Sequence, residues 1–337
     1  MTAADDDAAR RSRLIGIKLR ALVADHLSAD VGDVREFAPG AALLHDDAAW
    51  VYLDDRPGQR LGASLAWALR AGARSLDVIA AADTGVLARR AGEFAFPISV
   101  WHADERSLLA AIPEPFEPTL EVPAHHLELR QLIADGGADP IVEHGVLVGE
   151  VRGLEVCRVV DDPATGVTRL EVGVGAHDRE AFQMLHGDVP AVESLARVVD
   201  IVAEVRSPGA PQHPLNRLGA ERLIRWQVEQ RPELVGAAEV RPAEPPVART
   251  NLKDPTPCVG TGTTSAGERL VVVCASGVDL EVVPYAADAR LAAERAVEPG
   301  STGGSRLVLA MPARDRLPLT DELAGLLTQP AEFVAVG

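Results

Sequence analysis

Residues 50–101 read WVYLDDRPGQRLGASLAWALRAGARSLDVIAAADTGVLARRAGEFAFPISVW. Three short apolar runs, Trp50–Leu53, Leu76–Ala80 and Ile98–Trp101, alternate with two Ala- and Leu-rich stretches, Arg60–Ala71 and Thr84–Phe94. Short apolar runs suit buried strands, and the longer stretches suit helices. Strand, helix, strand, helix, strand with short joints predicts a parallel βαβ-type unit with right-handed crossovers. The joints carry aspartates in place of glycines. Neither GxGxxG nor GxxxxGK[ST] occurs, which argues against a dinucleotide or P-loop site. Asp54, Asp55 and Asp83 fall where such a sheet exposes the carboxyl ends of its strands, the usual place for a small-molecule ligand. N-capping by Asp83 and a turn at Asp54-Asp55 with Pro57-Gly58 are the plainer reading.

Outward from this unit, residues 1–13 read as a flexible tail and Leu14–Leu27 as a helix, giving an N-terminal α/β domain over 14–103. Four prolines break residues 104–123, which read as a connector. A second α/β domain covers 124–230. It opens on a helix near His125–Ile133, continues through a β-rich stretch (Val146–Val160), a turn (Asp161–Gly166) and a returning strand (Arg169–Val174), and a helical stretch starts at Phe182. A long amphipathic helix then follows, striped by Val192, Leu195, Val199, Val202 and Val205. Residues 231–268 hold six prolines and read as an interdomain connector. Residues 269–337 read as a C-terminal α/β unit, with strands at Leu270–Cys274, Val278–Val283 and Leu307–Met311 and a final helix capped by Thr320.

The chain has 337 residues, 47% of them hydrophobic and 25% charged, the composition of a folded protein. Its net charge of −17 works against binding duplex nucleic acid or an anionic membrane. The three cysteines, Cys157, Cys258 and Cys274, form no CxxC, which disfavours a disulfide scaffold or a zinc cluster of thiolates; they read as buried thiols. The start lacks the apolar core of a signal peptide, and no run approaches a transmembrane span, so a cytoplasmic protein is expected.

Two segments share words. GLEVCRVV followed by TRLEVGVGAHDR (153–179) matches GVDLEVVPY followed by SRLVLAMPARDR (277–316). In both, Arg-Leu (Arg169-Leu170, Arg306-Leu307) precedes Asp-Arg by the same nine residues. An internal repeat of strand, excursion, strand, polar loop and helix is the expectation. The fold class is therefore α/β: the parallel βαβ-type unit followed by two related β-hairpin–helix units.

The hairpin-and-helix plan of 125–206 resembles the PD-(D/E)XK nuclease superfamily, with its RecB-like and NucS-like branches. That resemblance implies a metal held by Glu155, at the first acidic position, and Glu171, at the Glu of ExK. Glu143 matches the upstream acid. The lysine position is Gly173, and His177, Asp178 and Arg179 follow. In the later copy Asp279 or Glu281 matches the first acid, while Val308-Leu309-Ala310 stands in place of ExK. Read from the residues alone, Glu155 and Glu171 across a hairpin need a cation or a shared proton, or pair with Arg158 or Arg169. His177 with Asp178 is a candidate acid–base pair.

Basic residues gather at Arg206, His213, Arg217, Arg222 and Arg225 beside Trp226, and three- and four-residue spacing lets Arg222, Arg225 and Trp226 share one side of a helix. That side is a candidate contact for a phosphate, a base or an acidic surface of the same chain. Lys253, in NLKDPTPCVGTG, is a candidate loop contact. The expected function is a non-catalytic protein that binds a protein partner or itself, with no cofactor. The alternative is a phosphodiesterase or nuclease using Mg2+ or Mn2+ on Glu155 and Glu171.

Overall fold

The run Ala48–Leu53 forms β3, and β4 (Ser75–Ala80) and β5 (Ile98–Asp104) continue the sheet parallel to it, Leu53 opposite Ala80 and Ala80 opposite His102. The connecting helices are α2 (Leu61–Arg70) and α3 (Thr84–Ala91). The protein is thus α/β, and its opening unit is the parallel one that the alternation predicts. This is a computed structural model that describes residues 3–38, 40–180, 190–211, 213–249, 251, 253–296 and 304–337. The chain divides into two units: residues 1–116, 278–291 and 316–331 make the first, and the remaining residues the second.

In the first unit, β1 (Val34–Phe37) and β2 (Gly40–His45) add antiparallel before β3, and β6 (Ser107–Ala110) adds antiparallel after β5. The sheet order is β1-β2-β3-β4-β5-β6, six strands in sequence. The residues expected to be a tail are helical from Ala3: α1 runs Ala3–Leu27. Its Ile15, Leu19, Leu22 and Val23 pack on Leu43, Trp50, Tyr52 and Ile79. Residues 107–110, expected in a connector, are a sheet strand. Asp83 sits at the start of α3 with a positive φ, and its carboxylate accepts from the Gly58 amide (3.1 Å) instead of capping the helix.

The chain returns to this unit at residues 278–291, which carry the first part of α8 (Val282–Arg295). Here the anticipated strand at Val278–Val283 is replaced by a turn and a helix start. Asp288 is fully buried and accepts from Arg89 and Arg90, while Glu281 accepts from Arg90 (2.9 Å) and the Gly62 amide (2.9 Å). Burial pushes the Glu281 carboxyl up to about 7, against the pull of Arg90. A carboxyl raised in the fold binds protons that the unfolded chain has already lost. Its contribution is therefore complete below about 4.5 and is lost as pH rises through about 7. Glu281→Gln should flatten the fall in stability across that window, read as thermal melts at stepped pH.

The second unit holds two sheets. One is antiparallel in the order β10-β9-β8-β7, from β7 (Asp139–Glu143), β8 (Val146–Val151), β9 (Leu154–Asp161) and β10 (Thr168–Val172). Its apolar face is covered by α5 (Arg130–Asp135) and α6 (Ala191–Val205), with Ile133, Leu195 and Val202 on Leu147, Leu154, Val156 and Val159. The helix start expected at Phe182 lies outside the described residues. The other sheet is mixed: β11 (Glu239–Ala243), β12 (Cys258–Thr263) and β13 (Arg269–Cys274) are antiparallel, and β14 (Arg306–Met311) and β15 (Glu332–Ala335) continue parallel. The proline-rich stretch 231–268 therefore supplies two strands of this sheet.

This topology overturns the repeat. Leu170 lies in an antiparallel edge strand reached by a hairpin, whereas Leu307 lies in β14, parallel to β13 and reached through α8. The shared LEV words fold differently as well, one opening β9 and the other leading into α8. Short words rich in Leu and Val suit either element, and tertiary packing decides between them.

Candidate functional site

Strand alternation alone would put Glu155 and Arg158 on opposite faces of β9. The register prevents this. Glu150 pairs with Glu155 and Gly149 with Cys157, so Val156 is an extra residue, a β-bulge. Leu154, Val156, Cys157 and Val159 therefore all reach the apolar core, while Glu155 and Arg158 share the opposite face. Burial pushes the Cys157 thiol up to about 12, and all three cysteines are buried and free.

The face away from α5 and α6 carries a row of carboxylates. Asp139 lies opposite Glu150, and Glu150 opposite Glu155, across three adjacent strands. Like charges in this register repel, so the row needs cations. They come from α7 (Ala220–Gln230), whose Ile224 and Val228 pack into the mixed-sheet core while Arg222 and Arg225 turn to the acidic row. Arg222 donates to Glu150 (2.7 Å) and to Glu143, and Arg225 donates to Glu150 (2.5 Å). Gly153 in the β8–β9 turn has a positive φ, and a Cβ there would strike the Arg222 carbonyl, so this turn lets the helix approach. Burial raises the Glu150 carboxyl, but Arg225 and Arg222 outweigh it and hold it below its ordinary value. Glu229, part-buried at the end of α7 and paired with Arg225, is pushed up to about 7 by desolvation.

Glu155, 3% exposed, is surrounded by guanidinium groups: Arg158 (3.0 and 3.1 Å), Arg179 (3.1 Å) and Arg249 (3.6 Å). Glu171 lies opposite Arg158 in the register, accepts from Arg169 (2.9 Å) and stands 3.6 Å from Arg179. The two expected metal ligands thus do not pair across the hairpin; they share the Arg179 guanidinium, which lies between them. Arg179 belongs to a helical segment, 176–180, whose start folds back on the strand end at Gly173, where Asp178 accepts from the Val174 amide (2.7 Å). His177 is fully exposed and 3.9 Å from Glu180, so the His177–Asp178 acid–base pair is not assembled.

The basic helix side is placed inward. Arg222 and Arg225 are buried, Trp226 is half-buried beside Arg152 (5.5 Å), and Arg217 is exposed on the preceding turn. Arg206 is also buried and donates to the carbonyls of Arg152, Leu215 and Leu218; burial lowers its pKa to about 10. Lys253 is exposed in a turn closed by its amide donating to Asn251 (2.8 Å). Sequence reading missed Glu150 and Arg249. Glu150 sits in an apolar run whose alternation is its only signal, and Arg249 lies in the stretch read as connector.

The first unit carries an open groove of about 350 Å³ between α1 and the β1–β2 edge. Gly16 lets α1 lie close to Val34, since a Cβ there would sit 3.1 Å from it. Ile17 (61% exposed) and Leu14 (57%) stand on the open side of α1, and Arg13, Arg20 and Arg35 line the groove. β1 is an edge strand, with Val34, Arg35 and Glu36 exposed.

No helix among the described residues is long and apolar enough to cross a membrane. No family model matches the chain, and comparison with curated proteins and with solved structures finds none similar to it.

Proposed function

We propose that the protein is an intracellular, non-catalytic binding protein whose groove beside α1 takes an acidic, extended segment of a protein partner. The groove itself carries this reading: an apolar floor, an edge strand, and three arginines, one of them also paired with Asp30, against the single carboxylate of Glu36, in a chain whose net charge is −17. An extended segment adds to β1 through its main chain, its apolar side chains meet Ile17 and Val34, and its carboxylates meet Arg13, Arg20 and Arg35. A second α1 is a poor occupant. Antiparallel pairing about Leu14 and Ile17 sets Arg13 against Lys18 and Arg11 against Arg20, all like charges. The nuclease-like carboxylates support the non-catalytic part, because guanidinium groups already occupy both: Arg158 and Arg179 on Glu155, Arg169 and Arg179 on Glu171.

The test is fluorescence anisotropy with a labelled ten-residue peptide of alternating valine and glutamate. Binding in the micromolar range, weakened by salt and at least tenfold by Arg13→Glu with Arg20→Glu, is expected. Absence of binding, or sedimentation as a dimer that the same double variant dissociates, overturns the occupant. Titration with manganese is expected to show no binding that depends on Glu171, and Glu171→Gln to cost about 0–1 kcal/mol, since its arginine pair is part-exposed. A one-site manganese isotherm that vanishes in Glu171→Gln overturns the non-catalytic reading in favour of the phosphodiesterase.

A further inference from the structure

The geometry points to a zinc site in the second unit, made of His125, His126 and Asp161. It lies apart from the groove and from the arginine-filled acidic face. Among the described residues these three form the group whose metal-ligand atoms converge, all within 4.8 Å of one another.

His125 and His126 occupy a one-turn helix, α4 (Ala124–Leu127), behind Pro123. Neighbouring helical side chains ordinarily diverge, but here the rings stand edge to face with centroids 4.7 Å apart. Both point Nε2 at one carboxylate: His125 lies 3.3 Å and His126 3.0 Å from Asp161 Oδ1. With zinc bonds of 2.0–2.2 Å, two ligand atoms of a tetrahedron stand roughly 3.3 Å apart. The observed separations therefore already match the edges of such a site. The exposed His125 side chain can swing to close the remaining edge between the two nitrogens.

Asp161 ends β9 where the hairpin turns, directly opposite Thr168. The Thr168 hydroxyl donates to Asp161 Oδ1 (2.7 Å) and fixes the carboxylate plane, the outer support that metal carboxylates usually have. Asp162 accepts from the Ala164 and Thr165 amides (both 2.9 Å) and holds the turn behind it.

Two imidazoles and one carboxylate select a borderline transition ion, zinc, over magnesium or calcium, which prefer all-oxygen sites. His126 is buried, while the His125 and Asp161 side chains are about half exposed, so an ion reaches the site and solvent takes the fourth position. Bound there, zinc would fasten α4 to the β9–β10 hairpin.

Titration of the full chain with zinc against a chromophoric chelator tests this, with cobalt as a spectroscopic probe. The expected results are one equivalent bound and visible bands of a four-coordinate cobalt ion. His125→Ala removes an exposed ligand and should leave the melting temperature of the zinc-free protein unchanged while weakening zinc at least tenfold. Thr168→Val should weaken it about tenfold through the carboxylate alone. Absence of saturable binding, or an equivalent retained in the His125→Ala, His126→Ala double variant, overturns the site. Cobalt that stays six-coordinate leaves a histidine–aspartate hydrogen-bonded cluster and overturns it as well.

Discussion

Replacing Glu150 with glutamine should destabilise the second unit by about 3–5 kcal/mol, the cost of leaving buried charges without a counter-ion. Glu150 is 2% exposed and serves two buried arginines, Arg222 and Arg225, one on each oxygen. The amide keeps the shape but carries no charge, and its nitrogen would face a guanidinium. Arg222 retains Glu143 and Arg225 retains Glu229, so the loss is not that of two whole ion pairs. Hydrogen exchange of the β8 and β9 amides reads this unit by itself. Exchange through unfolding should speed up by two to three orders of magnitude, at about 1.4 kcal/mol per tenfold. A change below about tenfold in the single variant would mean that water reaches these arginines.

The parallel core of the first unit was legible because each of its strands is a short apolar run and each helix an Ala- and Leu-rich stretch, with nothing long-range needed to tell them apart. The edges of that sheet were not. Val34–Phe37 and Ser107–Ala110 are short and largely exposed, so they carry little apolar signal and owe their strand form to neighbours. The first two residues of the helix Val282–Arg295 were read as the end of a strand, since Val282 and Val283 are β-branched and their burial comes from the first unit, far away in sequence.

The carboxylates Glu155 and Glu171 stood out in the sequence, and Arg158 and Arg169 were visible as partners for them, but the rest of their company was hidden. A bulge at Val156 cannot be read from residue types, and it sets which side chains share the face. Arg222 and Arg225 were visible as a basic helix side; that this side faces inward depends on an acidic row more than seventy residues earlier in the chain. Net charge gave no hint of it, because buried ion pairs cancel locally whatever the total. The adjacent histidines His125 and His126 stand plainly in the sequence, but Asp161 joins them only through the hairpin register.

Asp288→Asn should have a comparable effect in the first unit, about 3–5 kcal/mol. Asp288 is completely buried, and Arg89 grips it with two nitrogens, at 2.8 and 3.2 Å, while Arg90 adds a third contact at 3.1 Å. Both arginines are themselves buried and come from the last turn of α3, so one carboxylate holds two adjacent cations in place. Their other partners compensate little: Arg89 also donates to the Glu114 carbonyl, and Arg90 shares the Glu281 carboxyl, which burial pushes up to about 7. Around neutral pH a partly protonated Glu281 cannot take over the neutralisation. The loss should therefore grow as pH falls from about 7.5 to about 5.5, where Glu281 gains its proton and the arginines keep theirs. Hydrogen exchange of the β4 amides and the fluorescence of Trp50 and Trp101 report on this unit. Glu281→Gln placed in the Asp288→Asn background should make the deficit independent of pH over that range. A single-variant deficit under about 1 kcal/mol, or one that shrinks on acidification, would show that α8 is held to this unit by its apolar residues Val283, Tyr285 and Ala286 and that the ion cluster only fills space beside them.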